Sequence, residues 1–255
     1  MKKLLIFCLL LLVNTFILHA DERVVLLDIG HQSTSGGAQS PDKRINEFKF
    51  WLRYAGEVKK YVEEAGFPCV ITNRSTPPKT GSDGVVYMNR PDKNGKRYPS
   101  RHYPEHIGAG MVSADYAVDI NARCVVFLHL NCIGSKWCSK PPTGLIICNK
   151  KHGRAFAESI AGCLRERLLD HEGGIPNADR GIKVLPRFIG SQPSAGWMNV
   201  LDEVGIPAAV FEALYLDYRP HVDYIMDDEN AKVLAHTLGE GIVRWLNSEC
   251  AGEKE

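Results

Sequence analysis

Two histidines and two glutamates stand where they could do chemistry together. Val24-Val25-Leu26-Leu27-Asp28-Ile29-Gly30-His31 runs an apolar strand pattern into a histidine, and Cys124-Val125-Val126-Phe127-Leu128 does the same into His129. Glu47 follows one loop after the first histidine and opens an amphipathic stretch. Two neutral imidazole nitrogens and one carboxylate oxygen form the donor set of a hydrolytic Zn²⁺ (Zn2+) site, which takes three protein ligands and keeps one position for water. Such a site lowers the pKa of its water toward about 7 and polarises a carbonyl. Each residue alone is weak evidence. A histidine beside an apolar strand is more often structural, and a glutamate in the first turn of a helix also favours the helix dipole. What carries the reading is the shared placement just past core strands.

Glu212 is the fourth member. It ends the apolar run Pro207-Ala208-Ala209-Val210-Phe211, and burying a carboxylate there is costly unless it is paired or put to use. Beside a zinc-activated water it is a general base that later hands the proton to a leaving amine. The competing assignment is a salt bridge with an arginine such as Arg180 or Arg187. Other chemistries lack their patterns. No Gly-Lys-Ser/Thr follows the glycines between Gly30 and Gly37, so a phosphate-cradling loop is not indicated. There is no Gly-x-Ser-x-Gly elbow, and Ser191 or Ser194 near His221 has no supporting motif. No Cys-x-x-Cys pair occurs, which argues against a structural cysteine–zinc site.

The elements that must position these residues alternate. Strands are expected at Arg23–Asp28, Pro68–Thr72, Arg123–Leu128, Thr143–Cys148, Ile182–Leu185 and Ala208–Glu212. Helices are expected at Phe48–Gly66, Tyr103–Asn121, Gly153–Asp170 and Asp228–Ser248. Ser75–Ser100, rich in Pro, Gly, Asn and charge, reads as a long loop. This order implies an α/β fold: a single domain with a mainly parallel twisted sheet covered by helices on both faces. Ligands bind outside the carboxyl ends of strands in such sheets, where His31, His129 and Glu212 fall.

Composition sets the outer bounds. The chain has 255 residues. Lys2 and Lys3, the apolar run Leu4–Leu12 and Leu18-His19-Ala20 before Asp21 read as a signal peptide over 1–20, with an uncleaved membrane anchor as the alternative. The apolar stretch is short for a membrane-spanning helix, and Asn14 and Thr15 interrupt it. No stable membrane insertion is therefore expected once the leader is cleaved, and the product is exported, to the periplasm or outside the cell. About 235 residues remain, enough for one well-cored domain. Loss of Lys2 and Lys3 takes the formal charge from +1 to −1, which gives no electrostatic case for nucleic acid or an anionic membrane. Of 8 cysteines, Cys8 leaves with the leader. Cys132 and Cys138 flank a loop and could pair, whereas Cys124, Cys148 and Cys163 read as buried hydrophobes.

These residues also carry a resemblance. The chain is similar to the zinc-dependent N-acetylmuramoyl-L-alanine amidases of the amidase-3 family, the bacterial cell-wall hydrolases. The family's Asp-Pro-Gly-His corresponds to Asp28-Ile29-Gly30-His31, and its small-residue loop to Ser35-Gly36-Gly37-Ala38. Its helix-opening glutamate corresponds to Glu47, and the helix end and Thr-Arg strand to Ala65-Gly66-Phe67 and Thr72-Asn73-Arg74. Ser-Ile-His-Ala-Asn is matched by Phe127-Leu128-His129-Leu130-Asn131, Arg-Gly-x-Lys by Arg180-Gly181-Ile182-Lys183, and Pro-Ala-x-Leu-x-Glu by Pro207-Ala208-Ala209-Val210-Phe211-Glu212. The matched pieces keep the family's order over nearly the whole mature chain. Ile29 replaces the proline, Gln32-Ser33 a Gly-Gly, Phe127 the serine and Leu128 the isoleucine. The stretch from Thr76 to Tyr103 is longer than the family pattern. None of these departures removes a ligand.

The resemblance implies a catalytic domain over 21–255 that cuts the amide between N-acetylmuramic acid and L-alanine of peptidoglycan or muropeptide fragments. It assigns zinc to His31, Glu47 and His129 and general-base catalysis to Glu212. Some relatives carry an inserted helix between the second histidine and the last glutamate, which plugs the metal site until a partner protein removes it. No spare long helix is expected in that interval here, so the site is open unless the Thr76–Tyr103 stretch covers it. An activator remains an open possibility. Two alternatives stand beside this reading: a zinc peptidase acting on the peptide stem, and a non-catalytic peptidoglycan-binding domain.

Overall fold

A computed structural model of the chain describes residues 23–31, 36–73, 79–80, 85–87, 109–140, 143–169, 181–186 and 195–252. The expected leader over 1–20, Gln32-Ser33, Arg180, Arg187, Ser191, Ser194 and most of Thr76–Tyr103 lie outside the described residues.

The strands are β1 Val25–Ile29, β2 Cys69–Asn73, β3 Lys79–Thr80, β4 Val85–Tyr87, β5 Cys124–Leu128, β6 Gly144–Cys148, β7 Ile182–Leu185 and β8 Ala208–Glu212. The helices are α1 Glu47–Glu64, α2 Ala109–Asp119, α3 Arg154–Leu164, α4 Ala195–Glu203, α5 Arg219–Met226 and α6 Asp228–Gly252, with a π-helical turn at Arg165–Leu169 after α3. The strands form one sheet in the order β3-β4-β2-β1-β5-β8-β6-β7. Pairing is parallel between β1 and β2, β1 and β5, β2 and β4, β5 and β8, and β6 and β7. It is antiparallel between β3 and β4 and between β6 and β8. The expected mainly parallel α/β sheet is therefore present.

Strand residues alternate between two cores, as a pleated strand with both faces covered must. Val25, Leu27, Ile29, Val126, Leu128, Ala209 and Phe211 face one way, into a cluster with Trp51, Val58, Phe156, Ile160, Leu238 and Trp245 from α1, α3 and α6. Leu26, Val125, Phe127, Ala208 and Val210 face the other way, against Ala114 and Ala117 of α2 and Met198, Val200 and Leu201 of α4. Trp51 is wholly buried and meets Phe211 edge-to-face, with ring centroids 5.4 Å apart.

Three expectations need correction. The Ser75–Ser100 stretch is not wholly loop, because β3 and β4 extend the sheet beyond β2. The interval between His129 and Glu212 shows no spare long helix among its described residues, but a short one, α4, stands where only loop was expected. It has nine residues and builds the second core, with Met198, Val200 and Leu201 buried. Third, α5 was not expected. Its first turn contains Pro220, a residue suited to helix starts because its missing N–H needs no partner there.

The seven cysteines among the described residues carry no disulfide. Cys132 and Cys138 stand unbridged, and the Cys132 thiol instead donates to the Gly134 carbonyl at 2.9 Å. Cys124, Cys148 and Cys163 are buried, as expected.

Candidate metal centre

The central strands carry the site residues because their registers align. β1 and β5 pair so that Ile29 lies opposite Leu128. The chain leaves both strands at the same level, with Gly30 donating to the Leu128 carbonyl at 3.0 Å. His129 donates in turn to the Phe211 carbonyl on β8 at 3.1 Å. His31, His129 and Glu212 thus emerge at the carboxyl edge of three adjacent strands, β1, β5 and β8.

His31 has a φ of 65°, the left-handed region that non-glycine residues seldom enter. A backbone held there costs on the order of 1–3 kcal/mol and persists where the surroundings impose it. Gly30 makes the turn possible by its lack of a side chain. A Cβ at this position would sit 2.5 Å from the His129 ring and 2.7 Å from the Leu128 carbonyl oxygen.

Glu47 arrives from the opposite direction. Asn46 caps α1, accepting from the Lys49 amide at 3.2 Å, while its amide group donates to the Gly36 carbonyl at 2.9 Å. The 36–38 loop is thereby tied to the helix start, and Glu47 N and Phe48 N donate to Ala38 O and Gly36 O. Gly37 has a φ of 74°, and a Cβ there would run into both the Glu47 carboxylate and the His31 ring.

The result is a compact His–Glu–His group. Glu47 Oε1 lies 2.9 Å from His129 Nδ1 and Oε2 lies 3.1 Å from His31 Nε2. The two rings are 5.0 Å apart in an edge-on arrangement. One donor atom from each of the three residues can be chosen so that all lie within 4.8 Å of one another. The carboxylate is also held from behind, by Ala38 N to Oε2 at 2.7 Å and Leu130 N to Oε1 at 2.9 Å. Burial alone would raise the Glu47 pKa. Hydrogen bonds from His129 and His31 and their charge outweigh it and bring the group down to about 2. It is an anion throughout the neutral range.

Glu212 sits one strand over and is partly buried. Its pKa is raised to about 8, first by burial and then by the negative charge of Glu47. It makes no hydrogen bond or ion pair with another described side chain, and Arg180 and Arg187 lie outside the described residues. The chain after Glu212 is pinned to the chain after His129. Asn131 N donates to Leu214 O and Leu216 N to Asn131 O, both at 2.8 Å. The Asn131 amide donates to the Tyr215 hydroxyl at 3.2 Å, which donates to Thr143 O at 3.0 Å.

Sequence reasoning missed these supports. Ala38 and Leu130 act through backbone N–H groups, which carry no residue signature. Asn131 stands in the motif that follows His129, but nothing in the sequence marks its tie to Tyr215. Asp217 stands in no motif. It accepts from Ile133 N at 2.9 Å and Gly134 N at 3.0 Å, while its carbonyl accepts from Cys138 N at 2.7 Å, and together these shape the loop beside His129.

A family model described as N-acetylmuramoyl-L-alanine amidase, Amidase_3, matches residues 25–244. No curated protein sequence matches the chain. The catalytic domain of CwlV, an N-acetylmuramoyl-L-alanine amidase of Bacillus (Paenibacillus) polymyxa var. colistinus, is 19% identical with a TM-score of 0.60, covering 88% of this chain and 98% of that one. AmiC2 of Nostoc punctiforme, also an N-acetylmuramoyl-L-alanine amidase, is 18% identical with a TM-score of 0.59, covering 90% and 99%. The CwlD amidase of Clostridioides difficile, solved in complex with the GerS lipoprotein, is 17% identical with a TM-score of 0.61, covering 89% and 99%. At these identities the likeness is one of fold.

Proposed function

The chain belongs to the Amidase_3 family of N-acetylmuramoyl-L-alanine amidases, and from that membership we propose that it works as a zinc enzyme, with the metal on His31, Glu47 and His129 and with Glu212 as the proton carrier. The reaction is hydrolysis of the amide between N-acetylmuramic acid and L-alanine in peptidoglycan.

One observation carries the metal assignment: a buried, anionic Glu47 that offers one oxygen to each of two histidines, with donor atoms of all three within 4.8 Å. Two imidazoles and a carboxylate match the donor preference of zinc. When bound, the metal supplies Lewis-acid polarisation of the scissile carbonyl and lowers the pKa of water to roughly 7.

The remaining work falls to the protein. Glu212 accepts the proton of the attacking water as the carbonyl carbon becomes tetrahedral. It then delivers that proton to the L-alanine nitrogen as the C–N bond breaks, so carboxylic acid and amine products balance one water. In the metal-free site burial and the charge of Glu47 push this carboxyl up to about 8. A bound dication opposes that rise, as any nearby positive charge does. Ala38 N and Leu130 N hold Glu47 so that it does not swing toward Glu212. The apolar run behind Lys2 and Lys3 supports export to the periplasm or the medium, and no helix among the described residues is long and apolar enough to cross a membrane.

Purified Glu212→Ala protein on muropeptides, with zinc content measured, tests the reading. Zinc should be retained while activity falls about 10²–10⁴-fold. Full activity in that variant would remove Glu212 from the mechanism. Mass spectrometry of wild-type digests should find peptides with a free L-alanine amine, and cuts inside the stem peptide would overturn the reaction assignment.

A further inference from the structure

A concavity lined by none of the metal-site residues has two lining residues, Gln39 and Asn46, that are chain neighbours of Ala38 and Glu47. It is a groove of about 350 Å³ between the 39–46 loop, α1 and the end of α5. On α1 it is faced by Asn46, Lys49, Phe50 and Arg53, the i, i+3, i+4, i+7 set of one helical stripe. Glu47 lies about 100° further round the same helix. Gln39, which pairs with Asn46 across the loop, directly follows Ala38, whose amide holds the Glu47 carboxylate. The groove therefore begins one residue from the frame of the metal site.

Its lining is cationic. Four of its lining side chains, Lys43, Arg44, Lys49 and Arg53, are basic, and none is acidic. The two arginines are already engaged: Arg44 with Asp42 and Asp223, each at 2.6 Å, and Arg53 with Asp228 at 2.7 Å. Lys43 and Lys49 form no ion pair among the described residues, and both are exposed. Lys43 is also the second non-glycine residue, after His31, with a φ above 60°. A turn imposes that conformation. Lys43 N donates to Ser40 O at 2.8 Å, and the Ser40 hydroxyl donates to Asp42 at 2.8 Å while accepting from Ile45 N at 3.1 Å. The turn leaves Lys43 among the residues that line the groove. Phe50 and Tyr54 supply an apolar floor beneath the charges, which suits a ligand with both a hydrocarbon backbone and carboxylates.

We propose that this groove is a subsite for the carboxylates of the substrate's peptide stem, with Lys43 and Lys49 as the groups that bind them. The proposal rests on the peptidoglycan reading for the identity of the peptide. On this proposal the scissile amide sits at the metal centre and the peptide leads away around the start of α1.

The test separates binding from turnover. The product-like dipeptide L-Ala-γ-D-Glu, with two free carboxylates, and its diamide are titrated calorimetrically into the full chain at low ionic strength, where surface charge is least screened. The wild type should prefer the dicarboxylate by about threefold to tenfold, the range expected of two exposed charge contacts. K43Q/K49Q should lose that preference and K43R/K49R should keep it. On muropeptides, K43Q/K49Q should raise KM with kcat unchanged. Equal binding of dipeptide and diamide to the wild type, or a K43Q/K49Q variant that still discriminates, would overturn the proposal. So would inorganic phosphate binding as tightly as the dipeptide, which would make the groove a general anion site. None of the titrations depends on catalysis, so a chain that fails to cleave peptidoglycan while binding as described refutes the activity and leaves the subsite standing.

Discussion

Glu47 Oε1 receives the Leu130 amide and faces His129 Nδ1, both at 2.9 Å, while Oε2 receives the Ala38 amide at 2.7 Å and faces His31 Nε2 at 3.1 Å. Both oxygens act as acceptors toward backbone, so a neutral amide cannot replace the carboxylate. In Glu47→Gln, whichever way the side chain lies, its NH₂ group confronts a backbone N–H. Zinc affinity should fall by at least about 100-fold, beyond the range typical for loss of an outer supporting group. Competition with a chromogenic chelator measures this.

Gly37 packs against both Glu47 and His31 and has a left-handed φ. Gly37→Ala adds a methyl where the carboxylate and imidazole must lie. The expected outcome is weakened zinc binding with a far-UV circular dichroism spectrum like that of the wild type, because the loop and not the sheet is disturbed. Unchanged zinc affinity would show that the loop yields without cost.

Trp51 links the fold to the site. Its ring lies edge-on to Phe211, the residue before Glu212, and is fully buried. Trp51→Ala should cost about 3–5 kcal/mol, the usual range for removing a large buried aromatic. Denaturant unfolding measures the loss. Because the cavity opens beneath β8, kcat should fall further than the fraction unfolded explains.

His221 gives the apo fold an acid limit. It is buried, accepts from Tyr215 N at 3.1 Å through Nδ1, and burial lowers its pKa from 6.5 to about 4. The folded state then binds fewer protons than the unfolded state between those values, so stability falls as pH drops through that window. The contribution is up to about 3 kcal/mol. Glu212 acts oppositely. With a folded pKa raised from 4.5 to about 8, it makes the metal-free protein less stable as pH rises between those values. Denaturation of the apo protein across pH should show both slopes. His221→Asn should flatten the acid one, and Glu212→Gln the other.

The site was legible because three of its residues, His31, His129 and Glu212, end apolar runs, while Glu47 opens an amphipathic helix. β1, β5 and β8 are buried on both faces, so their sequences read as continuous Val, Ile, Leu, Phe and Ala, and the polar residue that breaks each run is conspicuous. What escaped lacked such contrast. β3 is two residues long and β4 three, too short for a period to register. In α5, Arg219-Pro220-His221 reads as a turn because proline marks turns as often as helix starts. Buried Asp28, bonded by Thr72 and Ser113 from β2 and α2, was invisible as a network because its members are 44 and 85 residues away in sequence. The same holds for Asn131 and Tyr215, brought together only when β5 pairs with β8.

The most direct test of the account is the metal content of the purified chain, by plasma mass spectrometry after dialysis against zinc, for the wild type and for His31→Ala/His129→Ala. The account predicts one zinc per wild-type chain with amidase activity that a chelator removes and zinc restores, and no stoichiometric zinc or activity in the double variant. Stoichiometric zinc retained by a folded double variant would contradict it, because the metal would then be held by residues other than the two histidines that β1 and β5 carry to the edge of the sheet.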